Sequence, residues 1–295
     1  MHDALAKLQS ADCLTIGQLA SLACLLEVTA PKPGNVHRGA DFDDLNYFDF
    51  AVSAVAIAPA MDEATRRPLG TVVRTAVEAT RSLVGTNSNL GMILLLAPLA
   101  KVPRETPLST GVAEVLAALT PHDAQEVYAA IRHAAPGGLG SVQKDDVASP
   151  APDDLLAAMR SAADRDSVAR QYAEGFQQVF GCIVPWLAEG LEKKWSLSNA
   201  IVWTHLRAMH EFPDTLIVRK CGVEVAQRSA GLAAAVLAAG KPGEEAYQRA
   251  LYDFDFWLRS DYHRRNPGTT ADLITAALFA ALRDGIIRPP YRLTF

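Results

Sequence analysis

Five stretches of this chain gather side chains able to do chemistry, and each lies where an apolar segment begins or ends. The first is Glu27-Val28-Thr29-Ala30-Pro31-Lys32-Pro33-Gly34-Asn35-Val36-His37-Arg38. Its two prolines stiffen the backbone and Gly34 permits a turn. Lys32, His37 and Arg38 then offer three donors close together, a grouping suited to a phosphate chain. Glu27 closes an otherwise apolar run, so it reads either as a helix-end carboxylate or as a metal ligand or general base. A solvated Pro/Gly connector is the plainer reading of the whole stretch.

The second stretch, Gly85-Thr86-Asn87-Ser88-Asn89-Leu90-Gly91, precedes the apolar run Met92–Ala100. Small polar residues at a helix start leave N–H groups free for an anion, although Asn87 or Ser88 as an ordinary cap explains them too. The third holds Pro136-Gly137-Gly138-Leu139-Gly140 with Lys144, Asp145 and Asp146 beyond it. It is neither a dinucleotide fingerprint nor a P-loop. Its carboxylates suit Mg²⁺ or merely a solvated loop. The fourth is Asp214-Thr215-Leu216-Ile217-Val218-Arg219-Lys220-Cys221-Gly222, with two cations before a glycine and a helix. The fifth runs from Asp261 through His263-Arg264-Arg265 to Asn266-Pro267-Gly268-Thr269-Thr270-Ala271-Asp272. There Asp272 falls in an early helical turn, where a carboxylate also simply stabilises the helix dipole. Each signal alone is weak. Together, cation-bearing loops ending at helix starts and interleaved with carboxylates point to a phosphorylated ligand, with Mg²⁺ as a companion.

The elements that must position these residues are helices. Ala and Leu dominate, strand alternation is scarce, and no Asn-Gly or Asp-Gly hairpin joins two runs. Helical patterns are expected over 11–28, 43–61, 69–84, 88–101, 111–119, 123–133, 153–163, 167–192, 196–210, 222–239, 244–260 and 270–284, with a long loop over 135–152. The expectation is an all-α, single compact domain, 1–295, of ten to twelve helices. No repeat of fixed period and no shift of composition divides it.

Composition narrows the classes. The chain has 295 residues, 49% of them hydrophobic and 21% charged, which excludes a disordered chain. A net charge of −5 argues against a nucleic-acid binder. A mean hydropathy of +0.08 reads as buried Ala-rich helices. The apolar runs fall short of the roughly 20 residues that cross a bilayer. Residues 1–10 show no secretion signal. The four cysteines (13, 24, 182 and 221) form no CxxC pair and no zinc spacing, and Cys13 and Cys24 are expected to pack as small hydrophobes. This suits a reducing cytoplasm. The expected partners are small molecules, with no nucleic acid and no membrane, and self-association is left open.

At these stretches the chain resembles the triphosphoribosyl-dephospho-CoA synthase family. The resemblance rests on Glu27-Val28 with Pro31-Lys32-Pro33-Gly34, on Gly85-Thr86-Asn87 with Gly91, on Asp214-Thr215-Leu216 through Arg219-Lys220, and on Asn266 through Leu273; it covers about 14–283. It implies an all-α pentosyltransferase. ATP serves as ribosyl donor, a hydroxyl of 3′-dephospho-CoA is the acceptor, adenine leaves, and Mg²⁺ accompanies the nucleotide. Carried onto this chain, it implies Glu27, Asp214 and Asp272 as catalytic carboxylates. Lys32, Asn35, His37, Arg38, Thr86, Asn87, Asn89, Arg219, Lys220, Asn266, Thr269 and Thr270 would hold nucleotide and phosphates, and Glu27, Asp43 and Asp44 the metal. Citrate-type members read Thr-His-Lys-Gly where this chain has Ser88-Asn89-Leu90-Gly91, and Leu-Val-Asp where it has Asn35-Val36-His37. The pattern is more similar to an archaeal-type branch that also occurs with tetrahydromethanopterin-type cofactor genes. Ribosyl transfer to a pterin precursor is therefore an alternative, and a non-catalytic nucleotide-binding protein is another.

Overall fold

The computed structural model describes residues 14–137, 146–291 and 293. Cys13, Gly138, Leu139, Gly140, Lys144 and Asp145 lie outside them. The described residues form α-helices and turns, with one isolated bridge between His37 and Ala40 and no strand. The all-α expectation holds.

The helices are α1 (Ile16–Thr29), α2 (Tyr47–Ala56), α3 (Ala58–Asp62), α4 (Leu69–Val84), α5 (Leu90–Lys101), α6 (Leu108–Ala117), α7 (Pro121–Ala134), α8 (Leu155–Ala162), α9 (Ser167–Ala173), α10 (Val184–Glu192), α11 (Leu197–Glu211), α12 (Thr215–Cys221), α13 (Val223–Ala238), α14 (Glu245–Arg259) and α15 (Gly268–Arg283). These fifteen segments exceed the ten to twelve expected, for three physical reasons. The run 43–61 breaks at Ile57, just before Pro59 in the first turn of α3. The run 167–192 breaks where Gly175 and Phe176 both take positive φ, and resumes as a π turn over Val179–Ile183. Residues 215–221 form a short helix that no long apolar period announces.

Two helices, α5 and α15, are buried on nearly every side, as helices apolar all round must be. They pack against each other, and α1 packs on both. One core cluster runs from Leu19 to Ile287. Helices α4 and α7 meet closely because Gly70 has no side chain: a Cβ there would lie 2.6 Å from the Asp123 carbonyl oxygen. Asp123 uses the approach to accept the Gly70 N–H at 2.8 Å. Gly17 on α1 does the same against α3, its N–H donating to Asp62 at 2.7 Å.

Pro98 sits inside α5 and cannot donate to the carbonyl of Leu94, one turn earlier. The wholly buried Tyr172 hydroxyl donates to that carbonyl instead, at 2.6 Å. Burial pushes the Tyr172 phenol up, so it stays a donor. The Tyr172→Phe variant is expected to lose about 1–2 kcal/mol of stability in urea unfolding, because a buried carbonyl is left unpaired. An unchanged midpoint would show that the carbonyl finds another partner.

Candidate active site

The first polar stretch folds back under the end of α1. Ala30 leaves the helix in an extended conformation, as the residue before a proline prefers. Pro31 and Pro33 then hold Lys32 pointing inward. Lys32 is fully buried, and its ammonium lies 2.8 Å from the Glu27 carboxylate. The same ammonium donates to the Glu27 carbonyl and, at 3.3 Å, to that of Ala30. One side chain thus closes the helix end and neutralises its last acid. Burial pushes the Glu27 carboxyl up and the Lys32 ammonium down, and each partner opposes the other's shift.

Gly34 follows at φ 76, donating its N–H to Asp255 at 2.7 Å. A Cβ at Gly34 would sit 2.8 Å from Leu258 and 2.9 Å from Pro267, so both conformation and space demand glycine. Arg259 pairs with Asp255 at 2.9 Å and donates to the Asn35 carbonyl. Asn35 in turn donates to the Asn266 side chain at 2.6 Å. These bonds join the Pro-Lys-Pro-Gly loop to the Asn-Pro-Gly turn that opens α15.

Asp214 joins the fourth stretch to the fifth. One carboxylate oxygen caps α12 through the N–H groups of Leu216 and Ile217, at 2.8 and 3.0 Å. The other accepts the Thr270 N–H and hydroxyl, both at 2.7 Å. Burial raises this carboxyl and the four bonds oppose the rise. Arg219, on α12, pairs at 2.8 Å with Asp166, whose other oxygen caps α9.

Asp272 differs from these. It is half-buried and has no hydrogen-bond partner among the described residues. Its carboxylate lies over Gly91 in the first turn of α5, where any Cβ would collide with it. Burial and the fields of Glu27, Asp214 and Asp166 raise it well above the ordinary range, with Arg219 opposing.

Glu27 and Asp272 open into a cavity of about 1130 Å³. Asn35, Thr86, Asn87, Asn89, Asn266 and Thr269 line it, with Arg132, Arg165, Arg219, Lys220 and Arg264 as its cations. Asn87 also accepts the Leu90 N–H at 3.1 Å, and Asn89 is buried at the start of α5. Thr270 is buried behind the wall, on Asp214.

Several expected groupings do not assemble. Lys32, His37 and Arg38 do not line the cavity as a phosphate clamp. Lys32 is committed to Glu27, and Arg38 is exposed. His37 is driven down to about 4 by burial and then by the Arg259 and Lys32 charges, so it is no cation at neutral pH. Glu27, Asp43 and Asp44 do not form one metal set. Asp44 faces the cavity, Asp43 is exposed outside its wall, and no group of three or more His, Cys, Asp or Glu among the described residues is placed to hold a metal ion. The Arg165–Asp166 pair escaped the sequence reading, although Asp166 before Ser167 carries an N-cap signal. Cys24 is buried beneath Glu27 and Asp272, its thiol pushed up by burial and by both acids.

Removing Lys32 leaves Glu27 as an unpaired buried acid. Lys32→Met is expected to cost about 3–5 kcal/mol in denaturant unfolding. Adding Glu27→Gln should restore most of that stability. A single variant as stable as the parent would show that the pair does not organise this loop.

Residues 13–288 match the family of ATP:dephospho-CoA triphosphoribosyl transferases (CitG). Among solved structures, the chain is similar to one from Archaeoglobus fulgidus provisionally named as a triphosphoribosyl-dephospho-CoA synthase. The two share 24% identity and a TM-score of 0.61, over 81% of this chain and 99% of that one, a likeness of fold. No curated protein matches. No described helix is long and apolar enough to cross a membrane. With the family matched across nearly its whole length, the chain belongs to the ATP:dephospho-CoA triphosphoribosyl transferase family.

Proposed function

We propose that this chain transfers the 5-triphosphoribosyl group of ATP to a hydroxyl of 3′-dephospho-CoA and releases adenine. The observation that carries this reading is the pairing of two different carboxyls, Glu27 and Asp272, in one cation-lined cavity. Substitution at a sugar carbon needs an acid for the departing group and a base for the entering hydroxyl. Glu27, held beside Lys32, suits the base. Asp272, unpartnered and surrounded by acids, suits the acid.

In the proposed step the acceptor oxygen bonds to C1′ of the ATP ribose as the C1′–N9 bond breaks. The bonding pair leaves with adenine, which takes the Asp272 proton, and the acceptor's hydroxyl proton passes to Glu27. The two acids exchange protons with solvent before the next turnover. Arg165, Arg219, Lys220 and Arg264 hold phosphate oxygens, with Asn35, Thr86, Asn87, Asn89, Asn266 and Thr269 as neutral donors or acceptors. Asp214 is a positioning residue, holding the Thr270 turn. Glu27, Asp43 and Asp44 do not fit a resident ion. Mg²⁺ enters instead as part of the Mg·ATP substrate, with Asp44 the exposed member of that trio that lines the cavity and Glu27 committed to Lys32. The unpaired cysteines 24, 182 and 221 are consistent with work in a reducing cytoplasm.

The test is adenine release from Mg·ATP, followed by chromatography, with dephospho-CoA or a pterin riboside as acceptor. Adenine is expected with dephospho-CoA alone; adenine with the pterin riboside alone would overturn the acceptor. Glu27→Gln and Asp272→Asn should each lower turnover by about 10²-fold or more. Glu27 must be ionised, so the rate falls as pH drops through its raised pKa. Asp272 must be protonated, so the rate falls as pH rises through its pKa. Asp272→Asn therefore removes the alkaline limb and Glu27→Gln the acidic one. Near-parental turnover in Glu27→Gln would remove Glu27 from the mechanism.

A further inference from the structure

The cavity has two chemically different halves. One holds the carboxyls and amides described above with most of the cations, Arg132 standing beside Ile131 on α7. The other is walled by Leu94 of α5, Tyr128 and Ile131 of α7, and Leu155, Ala158 and Met159 of α8. On α8 these positions and Ala162 repeat at helical spacing, so one apolar stripe forms that wall. Ile131, Ala158 and Met159 each keep 7–8% of their surface open.

The ribose and triphosphate of ATP have no use for such a wall, because phosphates and sugar hydroxyls lose water there without gaining partners, and the adenine, on the proposed mechanism, sits beside Asp272 in the polar part. The volume gives the same indication: about 1130 Å³ exceeds the roughly 300–1,000 Å³ that serves a single drug-sized ligand. Two substrates must meet at C1′, and the second brings the part that fits an apolar wall. Dephospho-CoA is an adenosine diphosphate extended by a pantetheine arm, which is uncharged, long, and carries a gem-dimethyl group and methylene chains.

We infer that the compartment between α7 and α8 receives the pantetheine arm of the acceptor and selects it over other adenosine diphosphate esters. The inference rests on the proposed acceptor. It assigns Ile131, Ala158 and Met159 to specificity, with the diphosphate left to the cationic half. Burying the arm removes apolar surface from water on both sides, and affinity follows.

The experiment is isothermal titration of the full chain with dephospho-CoA and with ADP-ribose, which has the same adenosine diphosphate diester but a polar sugar for the arm. Dephospho-CoA is expected to bind at least about ten-fold tighter. Ala158→Trp, which fills the compartment, and Met159→Gln, which makes its wall polar at similar volume, should each bring the ratio close to one. Thermal unfolding checks that each variant is folded, and Met159→Gln carries the test where the larger side chain disrupts α8. Equal affinity of the parent chain for the two ligands, or a folded variant that keeps the preference, overturns the inference. Adenine release with dephospho-CoA separates the two levels. If it persists while the affinities are equal, only the arm's compartment is wrong; if it is absent, the proposed acceptor itself fails.

Discussion

A buried ammonium 2.8 Å from a buried carboxylate governs this structure. Each ion alone would be costly in the interior, and together they hold a geometry that neither would hold alone. Lys32 reaches its place only because prolines flank it and Gly34 turns the chain immediately afterwards. Glu27 stays at the cavity floor only because Lys32 holds it there. Behind the pair lies the fully buried His205, whose ring is kept neutral by burial and by the Lys32 charge. The protein thus spends one cation on positioning an acid and leaves others, on α7, in the turn after α8, on α12 and in the turn before α15, facing the cavity.

The surrounding loops are joined mainly by carboxylates at helix starts. Asp214 and Asp166 each cap one helix while reaching a second partner, Asp214 the Thr270 turn and Asp166 the Arg219 guanidinium. Asp255 does related work for Gly34 and Arg259. Asp272 is the exception. It has no such bonds, and Gly91 yields the space beneath it. Burial and the neighbouring acids raise the Asp272 carboxyl, and that difference in environment separates its proposed role from that of Glu27. The helices α5 and α15 both begin at this point, so the two most buried elements of the core fix the floor of the cavity.

Much of this was legible in the sequence. Leu69–Val84 was bounded correctly, because its amphipathic period is clear and Gly85 stops it. The polar stretches at 27–38, 85–91, 214–222 and 261–272 each supply residues that line one cavity, since Pro, Gly and capping residues mark where helices end. What stayed hidden was direction. Nothing in Lys32, His37 and Arg38 says that the first points into the core, the second loses its charge and the third faces solvent. Those outcomes depend on Arg259, Asp255 and Asn266, more than two hundred residues away. The apolar compartment was equally hidden, because a stripe such as Leu155, Ala158, Met159 and Ala162 looks the same whether it faces a core or a cavity. Asp43 and Asp44 are neighbours in sequence, yet only Asp44 reaches the cavity.

The most direct measurement is a crystal structure of the chain with Mg²⁺, dephospho-CoA and formycin triphosphate, an ATP analogue whose base is joined to C1′ through carbon and so cannot depart. A ribosyl-transfer site predicts C1′ and the acceptor hydroxyl between the Glu27 and Asp272 carboxyls. Glu27 should lie within hydrogen-bonding reach of that hydroxyl and Asp272 within reach of the base. A triphosphate seated in this cavity with C1′ turned away from both carboxyls, or bound elsewhere on the protein, would contradict it.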